Sequence, residues 1–397
     1  MEEKEKMYWA AIQNEMPGNT FTIINQMVTH YGSVQQFWRT NDTVRLPRLS
    51  VTVRERLMAL RKEVSPEKQW EICIKKKVSA ISCIEEDYPK ELLPFANCPV
   101  ILYYYGNKQF MQKAAAGIVG SRRCTAYGCK MAADFARVFS EAGCCIVSGM
   151  AKGIDTSAHE GALLAMGGTI AVLGCGVDIP YPPENRKLYW RIREEGLVIS
   201  EFLPGTKPLQ WHFPLRNRII SGLSRFVLVV EGQARSGAII TCDWAAEQGK
   251  EVWAIPGALT NPFSIGPLQL IRDGARVAIT PQEILKTCMP ESGFVGIEGG
   301  AAQAGEIRRF DRKKAASDPG QQVLRMTGGE ANAVLSAPEK KLYENISYYP
   351  VHIDSLLSWH SSCNEQTKSE GNLYLDLTKL LALRLIEKLP GDYYQRI

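Results

Sequence analysis

Residues 206–240 read TKPLQWHFPLRNRIISGLSRFVLVVEGQARSGAII. Within them, Phe226-Val227-Leu228-Val229-Val230 has the length and β-branching of a buried strand. It stops at Glu231-Gly232, and the polar loop Ala234-Arg235-Ser236-Gly237 leads into a further helical pattern. Upstream, Arg216-Asn217-Arg218 precedes a helix-like Ile219–Leu223. On this reading, two arginines and an amide sit on a loop near the end of one buried strand. Guanidinium is the side chain best shaped for bidentate contact with phosphate. The alternative is that Arg216 and Arg218 pair with nearby carboxylates and hold the loop. This stretch alone leaves the two readings even.

The same rhythm runs outward from about 116 to 287. Strand-like Gly117–Val119 ends in Gly120-Ser121-Arg122-Arg123, and a helical pattern follows from Tyr127 to Glu141. Cys145–Val147 ends in Ser148-Gly149-Met150-Ala151-Lys152-Gly153, before a helix from Asp155 to Met166. Thr169–Leu173 ends in Gly174-Cys175-Gly176, and a helix around Glu184–Glu194 precedes Leu197–Ile199. After Phe226–Val230 come a helix at Ala238–Gln248, a strand at Glu251–Ile255, and a closing pair at Arg276–Ile279 and Pro281–Thr287. Buried strands alternating with amphipathic helices predict an α/β fold with a doubly wound, mostly parallel sheet. Ligands of such sheets bind outside the carboxyl ends of the strands. Glycine there lets backbone N–H groups approach an anion, and each following helix N-terminus adds partial positive charge. Ser121, Arg122, Arg123, Ser148, Lys152, Arg216 and Arg218 are therefore predicted to line a phosphate-binding face.

Several chemistries are excluded by missing parts. Gly174-Cys175-Gly176 begins a dinucleotide fingerprint, but Ile179 stands where its third glycine belongs. No Walker lysine follows a glycine-rich loop. His159-Glu160 is followed one turn on by Leu163 rather than a second histidine, so no metal site is predicted and His159 reads as an orienting residue. No nucleophile elbow is present. Asp155 and Glu231 are the only carboxylates placed for acid–base work, and each reads equally well as a helix cap or a holder of a cation. No catalytic residue and no cofactor are predicted. The 397 residues suggest two or three domains, and the 45% hydrophobic and 22% charged content suits a soluble globular protein. No apolar run approaches the roughly 20 residues of a membrane span, and MEEKEKMYWAAI lacks the apolar core of a signal peptide. Eleven cysteines, with no Cys-x-x-Cys, suggest free thiols in a reducing cytoplasm. A net charge of +5 permits a nucleic-acid partner without requiring one.

Six collinear blocks resemble the DNA-processing protein A (DprA/Smf) family: GSRRCTAYG (120–128), IVSGMAKGIDTSAHEGAL (146–163), GTIAVLGCGVDIPYPPENRKL (168–188), FPLRNRIISGLS (213–224), SGAIITCDWAAEQGKEVWAIPG (236–257) and GPLQLIRDGA (266–275). The resemblance implies an extended Rossmann-type core that binds single-stranded DNA, forms a homodimer, and passes incoming DNA to the RecA recombinase in natural transformation. It places the DNA-binding loops at Gly120-Ser121-Arg122, at Ser148 to Asp155 with Lys152, and at Arg216-Asn217-Arg218. The full candidate set is Gly120, Ser121, Arg122, Arg123, Ser148, Gly149, Lys152, Gly153, Arg216, Asn217, Arg218, Ser236 and Gly237. Tyr127, Trp211 and Phe213 are candidates for base stacking, with core packing as the alternative for each. Asp155, His159 and Glu231 are read as structural or orienting. The rival readings are a nucleotide-binding or nucleotide-cleaving enzyme on the same fold, and an adaptor that only recruits a recombinase.

The flanks differ from the core. Residues 1–75 carry apolar helical faces interrupted at Met16-Pro17-Gly18-Asn19 and read as a small helical (SAM-like) domain. Residues 76–289 form the core, with Val78–Cys83 and Val100–Tyr105 as strands that extend its sheet. Residues 290–337 are glycine-, alanine- and charge-rich and read as a flexible linker with a basic run at Arg308–Lys314. Residues 338–397 read as a winged-helix-like domain: helices at Lys341–Ile346, Ile353–Trp359 and Leu375–Leu385, then a hairpin at 386–394. Gly371-Asn372 reads as a break before the third helix. Lys379 and Arg384, offset by Asp376 and Glu387, give that helix a thin basic face for groove reading.

Overall fold

Period-two burial organises the strands. In β3 (Ala115–Val119) and β7 (Phe226–Val229), Ala116, Ile118, Phe226 and Leu228 point to one side of the sheet. Ala115, Val119, Val227 and Val229 point to the other. Both sides are apolar, as a parallel sheet covered on two faces requires. The computed structural model describes residues 3–290 and 336–396, except positions 19, 41–45, 47–48, 235, 347–350, 364–369, 384 and 390–391.

The sheet has nine strands. The remaining ones are β1 (Ser79–Ser82), β2 (Ile101–Gly106), β4 (Cys145–Ser148), β5 (Thr169–Val172), β6 (Leu197–Ser200), β8 (Glu251–Ala254) and β9 (Arg276–Val277). Their order is β1-β2-β6-β5-β4-β3-β7-β8-β9. All pairings from β6 to β9 are parallel. β1 and β2 join antiparallel beyond β6, so the extension predicted from Val78–Cys83 and Val100–Tyr105 is an antiparallel edge on a Rossmann-like sheet. On one face lie α6 (Ala126–Glu141), α7 (Ile154–Ala162), α8 (Arg186–Glu195) and α12 (Pro281–Cys288). On the other lie α9 (His212–Leu223) and α10 (Gly237–Glu247), while α11 (Ile265–Arg272) packs by β8.

Ahead of the sheet are α1 (Glu3–Glu15), α2 (Thr20–Tyr31), α3 (Val34–Arg39), α4 (Val51–Glu63) and α5 (Pro66–Lys75). Ser33, Ser50 and Ser65 cap the last three by accepting from Gln36, Val53 and Lys68 N–H groups. These helices share one core with the sheet edge, from Ile12, Ile24 and Phe37 to Ile101 and Tyr103. A buried amide anchors that junction. Gln13 donates to Ile101 O at 2.7 Å and Glu201 O at 2.8 Å, and accepts from Ile101 N at 2.9 Å. Gln13 is 1% exposed, so its removal strands a buried backbone donor. Gln13→Ala is expected to cost about 1–3 kcal/mol, read as a lower urea midpoint at unchanged slope.

The C-terminal unit comprises α13 (Ala337–Asn345), β10 (Val351–His352), α14 (Ile353–Cys363), α15 (Glu370–Ala382), β11 (Ile386–Leu389) and β12 (Tyr393–Arg396). Its three strands are ordered β10-β12-β11 around Leu342, Leu356, Leu377 and Leu380. The third helix begins at Glu370 and runs through Gly371 and Asn372, so the predicted break is absent. Both residues lie in the first turn, where the backbone N–H groups have no intrahelical acceptor anyway. Of the predicted linker at 290–337, residues 291–335 with the basic run lie outside the described residues, and Ala337 already begins α13. Among the described residues no helix is long and apolar enough to cross a membrane.

Candidate functional site

From β3 the chain turns towards β4, whereas from β7 it turns towards β8, on opposite sides of a shared pairing. Their loops diverge and leave a crevice, the usual ligand position in an open α/β sheet. A groove of about 700 Å³ lies there, bordered by Ser121, Arg122, Arg123, Phe213, Ser236 and Gly237.

One wall is the loop after β3. The Ser121 hydroxyl accepts from Arg123 N–H at 3.0 Å and turns the chain back. Arg122 and Arg123 are exposed, and among the described residues neither makes an ion pair. Glu231, at the end of β7, holds this wall. Its carboxylate accepts from Thr125 N at 2.8 Å, Thr125 Oγ1 at 2.7 Å and Asn261 Nδ2 at 3.1 Å, while its carbonyl accepts from Ser121 N at 2.6 Å. Thr125 in turn caps α6. Glu231 is thus a tie between the two diverging loops.

The floor corrects a sequence-based expectation. Arg216, Asn217 and Arg218 are not on a loop: they lie inside α9, which starts at His212. Pro214 falls in the first turn, where a proline costs no hydrogen bond. Arg218 is 2% exposed and forms two 2.7 Å bonds to the Glu201 carboxylate, itself 1% exposed. It does not reach the groove, and the reading that pairs it with a carboxylate is the correct one. Arg216 lines the groove but is 4% exposed, donating to Gly149 O at 2.7 Å and to Val172 O. Burial brings its guanidinium down to about 10, which Asp155 partly offsets. Asn217 accepts from Arg216 Nε at 3.1 Å and donates to Gly237 O at 3.0 Å, joining the floor to the start of α10.

The loop after β4 supports that floor. Ser148 is fully buried and donates to Ile118 O at 2.6 Å, so it is a strand-to-strand tie rather than a phosphate donor. A Cβ on Gly149 would sit 2.6–2.7 Å from the Arg216 guanidinium, so the glycine makes room for a cation rather than an anion. Gly153 adopts φ +79°, and its Cβ would meet Ser121 O at 2.4 Å, which lets the two loops touch. Asp155 accepts from Gly149 N at 3.1 Å and Ala151 N at 3.3 Å. Burial pushes its carboxyl up to about 6 against the pull of Arg216. His159 is fully buried, contacts Thr169 Oγ1 at 2.7 Å, and burial lowers it to about 3, so it is neutral. Lys152 is exposed, 2.5 Å from Glu184 on the rim of a smaller adjoining cleft. Such a solvent-screened surface pair is weak, so the ammonium can exchange its carboxylate for another anion.

Of the three aromatic candidates only Phe213 borders the groove, with Arg122 and Arg216 guanidinium carbons 5.7 and 5.9 Å from its ring centre. Trp211 packs edge-on against Phe202, and Tyr127 is exposed on α6 away from the lining. Tyr181, whose ring lies 5.7 Å from Phe213, joins the site although sequence reasoning passed it over. Its position in Tyr181-Pro182-Pro183, directly after a strand-end glycine loop, was the available signal. At the opposite wall Ser236 precedes α10, and among the described residues its buried Oγ has no hydrogen-bond partner and nothing lies close to where a Gly237 side chain would project. A helix N-terminus so arranged offers N–H groups and partial positive charge to an anion. Among the described residues no cluster of His, Cys, Asp and Glu is placed to hold a metal.

The model of the family described as DNA recombination-mediator protein A matches residues 79–289. DNA processing protein DprA of Streptococcus pneumoniae is 43% identical over 209 residues, 53% of this chain and 74% of that protein. An X-ray structure of DNA processing protein A from the same organism superposes with a TM-score of 0.60 at 32% identity, covering 70% of this chain and 97% of the other. Protein Smf of Synechocystis sp. is 30% identical over 409 residues, spanning 100% of both chains. A structure of DNA processing protein A from Helicobacter pylori, concerned with its single-stranded DNA binding mode, superposes with a TM-score of 0.50 at 28% identity, covering 54% of this chain and 97% of the other.

Proposed function

The chain belongs to the DNA recombination-mediator protein A family, and on that premise we propose that its groove binds single-stranded DNA through the backbone, largely irrespective of sequence. The observation that carries this is the pair Arg122 and Arg123: exposed, without ion pairs among the described residues, at the rim of an open groove beside Phe213. Guanidinium groups and the α10 N-terminus would meet phosphates, and Phe213 offers a face that any base can use. In this reading the protein acts in the cytoplasm as a homodimer, protects incoming strands and helps load the RecA recombinase in transformation and homologous recombination. That part rests on family membership alone.

The order helix, strand, helix, helix, hairpin in the C-terminal unit supports a winged-helix reading. Its third helix exposes Tyr374 and Leu375, and Lys379 is held by Glu339 at 2.8 Å. A helix with its lysine so occupied suits protein contact or weak DNA contact better than base reading.

The enzyme alternative needs a free carboxylate over the groove. Asp155 already accepts two N–H groups and Glu231 three donors, which supports a structural part for both. The test is binding of the full chain to labelled single- and double-stranded oligonucleotides across salt, with nucleoside phosphate hydrolysis assayed on the same preparation. Preference for single strands, a steep salt slope and no turnover are expected. Turnover that is lost in Asp155→Asn would instead establish the enzyme.

Asp155 also predicts a pH dependence. A bound phosphate favours the neutral carboxyl, so the bound form titrates above the free value of about 6 and affinity rises as pH falls through it. At constant ionic strength, binding is expected to be roughly fivefold tighter at about pH 5 than at about pH 7.5, worth about 1 kcal/mol for one charge near a phosphate. Asp155→Asn should flatten the profile; an unchanged slope in that variant assigns the dependence elsewhere.

A further inference from the structure

The far wall of the groove comes from outside the sheet domain. His352 on β10 and Tyr393 on β12 border the same cavity as Arg122 and Phe213. They are register partners, with rings 4.9 Å apart at 67°. Strand alternation explains why Tyr393 is there. Tyr394 points inward to the core of the C-terminal unit at 6% exposure, so Tyr393 must face out, and that outer face is turned to the groove. The hairpin also approaches α10: Lys388 and Asp392, paired at 2.7 Å, both bear on the Asp243 carboxyl.

We propose that this face of the C-terminal unit closes over a bound single strand, with Tyr393, backed by His352, stacking on a base whose phosphate is held at Arg122 and Arg123. The inference rests on the single-strand reading above. A plug imitating DNA would offer carboxylates to those arginines. This face offers an aromatic pair, and its near carboxylate, Asp354, lies 3.3 Å from His352 Nδ1. The unit would thus contribute through its sheet face and not through α15.

The test uses the full chain and a single-stranded oligonucleotide containing 2-aminopurine, whose fluorescence is quenched by stacking. Wild-type binding is expected to quench it. Tyr393→Ala should lose the quenching at the base stacked on Tyr393 and weaken binding by roughly 5- to 150-fold, the range for one base–aromatic stack. Tyr393→Phe should keep both, because the ring and not the hydroxyl is used. Tyr393→Leu, which still covers the unit's surface, should lose the quenching with the fold intact by circular dichroism. Unchanged binding and quenching in Tyr393→Leu would overturn the proposal, and tighter binding in Tyr393→Ala would make the unit a plug. If Arg122→Ala weakens binding while Tyr393→Leu changes nothing, only this inference fails. If the wild type binds no single strand, the groove reading fails with it.

Discussion

Arg218→Ala is expected to destabilise the sheet domain by about 3–5 kcal/mol, the cost of leaving one member of a buried ion pair alone. The Arg218 and Glu201 side chains are 2% and 0% exposed, joined by two parallel 2.7 Å bonds, and Arg218 also donates to Leu215 O at 3.1 Å. Once the guanidinium is gone, the buried Glu201 side chain loses both of its charged hydrogen-bond donors. Urea unfolding followed by tryptophan fluorescence would show the loss as a lower midpoint, and a thermal scan as a fall of roughly 6–20 °C. Replacing both partners, Arg218→Met with Glu201→Leu, should recover most of it, because an apolar pair of similar volume avoids both desolvation costs. A loss below about 1 kcal/mol in the single variant would mean that Glu201 finds another partner and that the pair does not hold the domain together. Glu201 also offers its carbonyl to Gln13, so the junction of the N-terminal helices converges on the same residue. Gln13→Ala and Arg218→Ala are close enough for their effects to be non-additive.

The sheet was readable because most of its parallel strands are short apolar runs that lead into glycine-containing loops, and the intervening helices repeat their apolar residues at helical spacing. Even the β1–β2 extension was visible from its position ahead of the alternating units. The misreading at Arg216–Arg218 has two causes. The helix-like run at Ile219–Leu223 is only the last part of α9, which starts at His212 with Pro214 in a first turn that tolerates it. The partner of Arg218 is 17 residues upstream, beyond β6, and no local pattern announces that pairing. Leu215, Ile219, Ile220 and Leu223 mark only one apolar side of the helix, whereas every residue from Leu215 to Leu223 is buried, charged members included. The glycine loops were located correctly but given one purpose. Gly149 yields space to the Arg216 guanidinium and Gly153 to a neighbouring carbonyl, distinctions that only the folded chain reveals. Ser148 was misassigned for a similar reason: its hydroxyl is spent on Ile118 O across the sheet.

Arg122→Ala with Arg123→Ala removes the same kind of charge with the opposite consequence. Both side chains are exposed and among the described residues neither has an ion-pair partner, so folding loses little, within about 0.5 kcal/mol for surface changes. Binding should lose much. Each charged contact contributes about 1.5 kcal/mol, so removing two weakens single-strand affinity on the order of 100-fold. Each phosphate contact also contributes about 0.7 to the slope of log affinity against log salt on single strands, so the slope should fall by roughly 1.4. The two readings check one another, because a variant that merely loosened the groove would lose affinity without the matching change in slope. The loss should be similar on strands of different sequence, since phosphates carry no base information. Phe213, whose ring lies 5.7 Å from the Arg122 guanidinium, stays in place and retains whatever stacking it provides. Unchanged affinity and slope in a folded double variant would remove these arginines from the interface. The open groove between β3 and β7 would then have lost its only two exposed guanidinium groups among the described residues, and the strand would have to be sought at Lys152 and the cleft beside it.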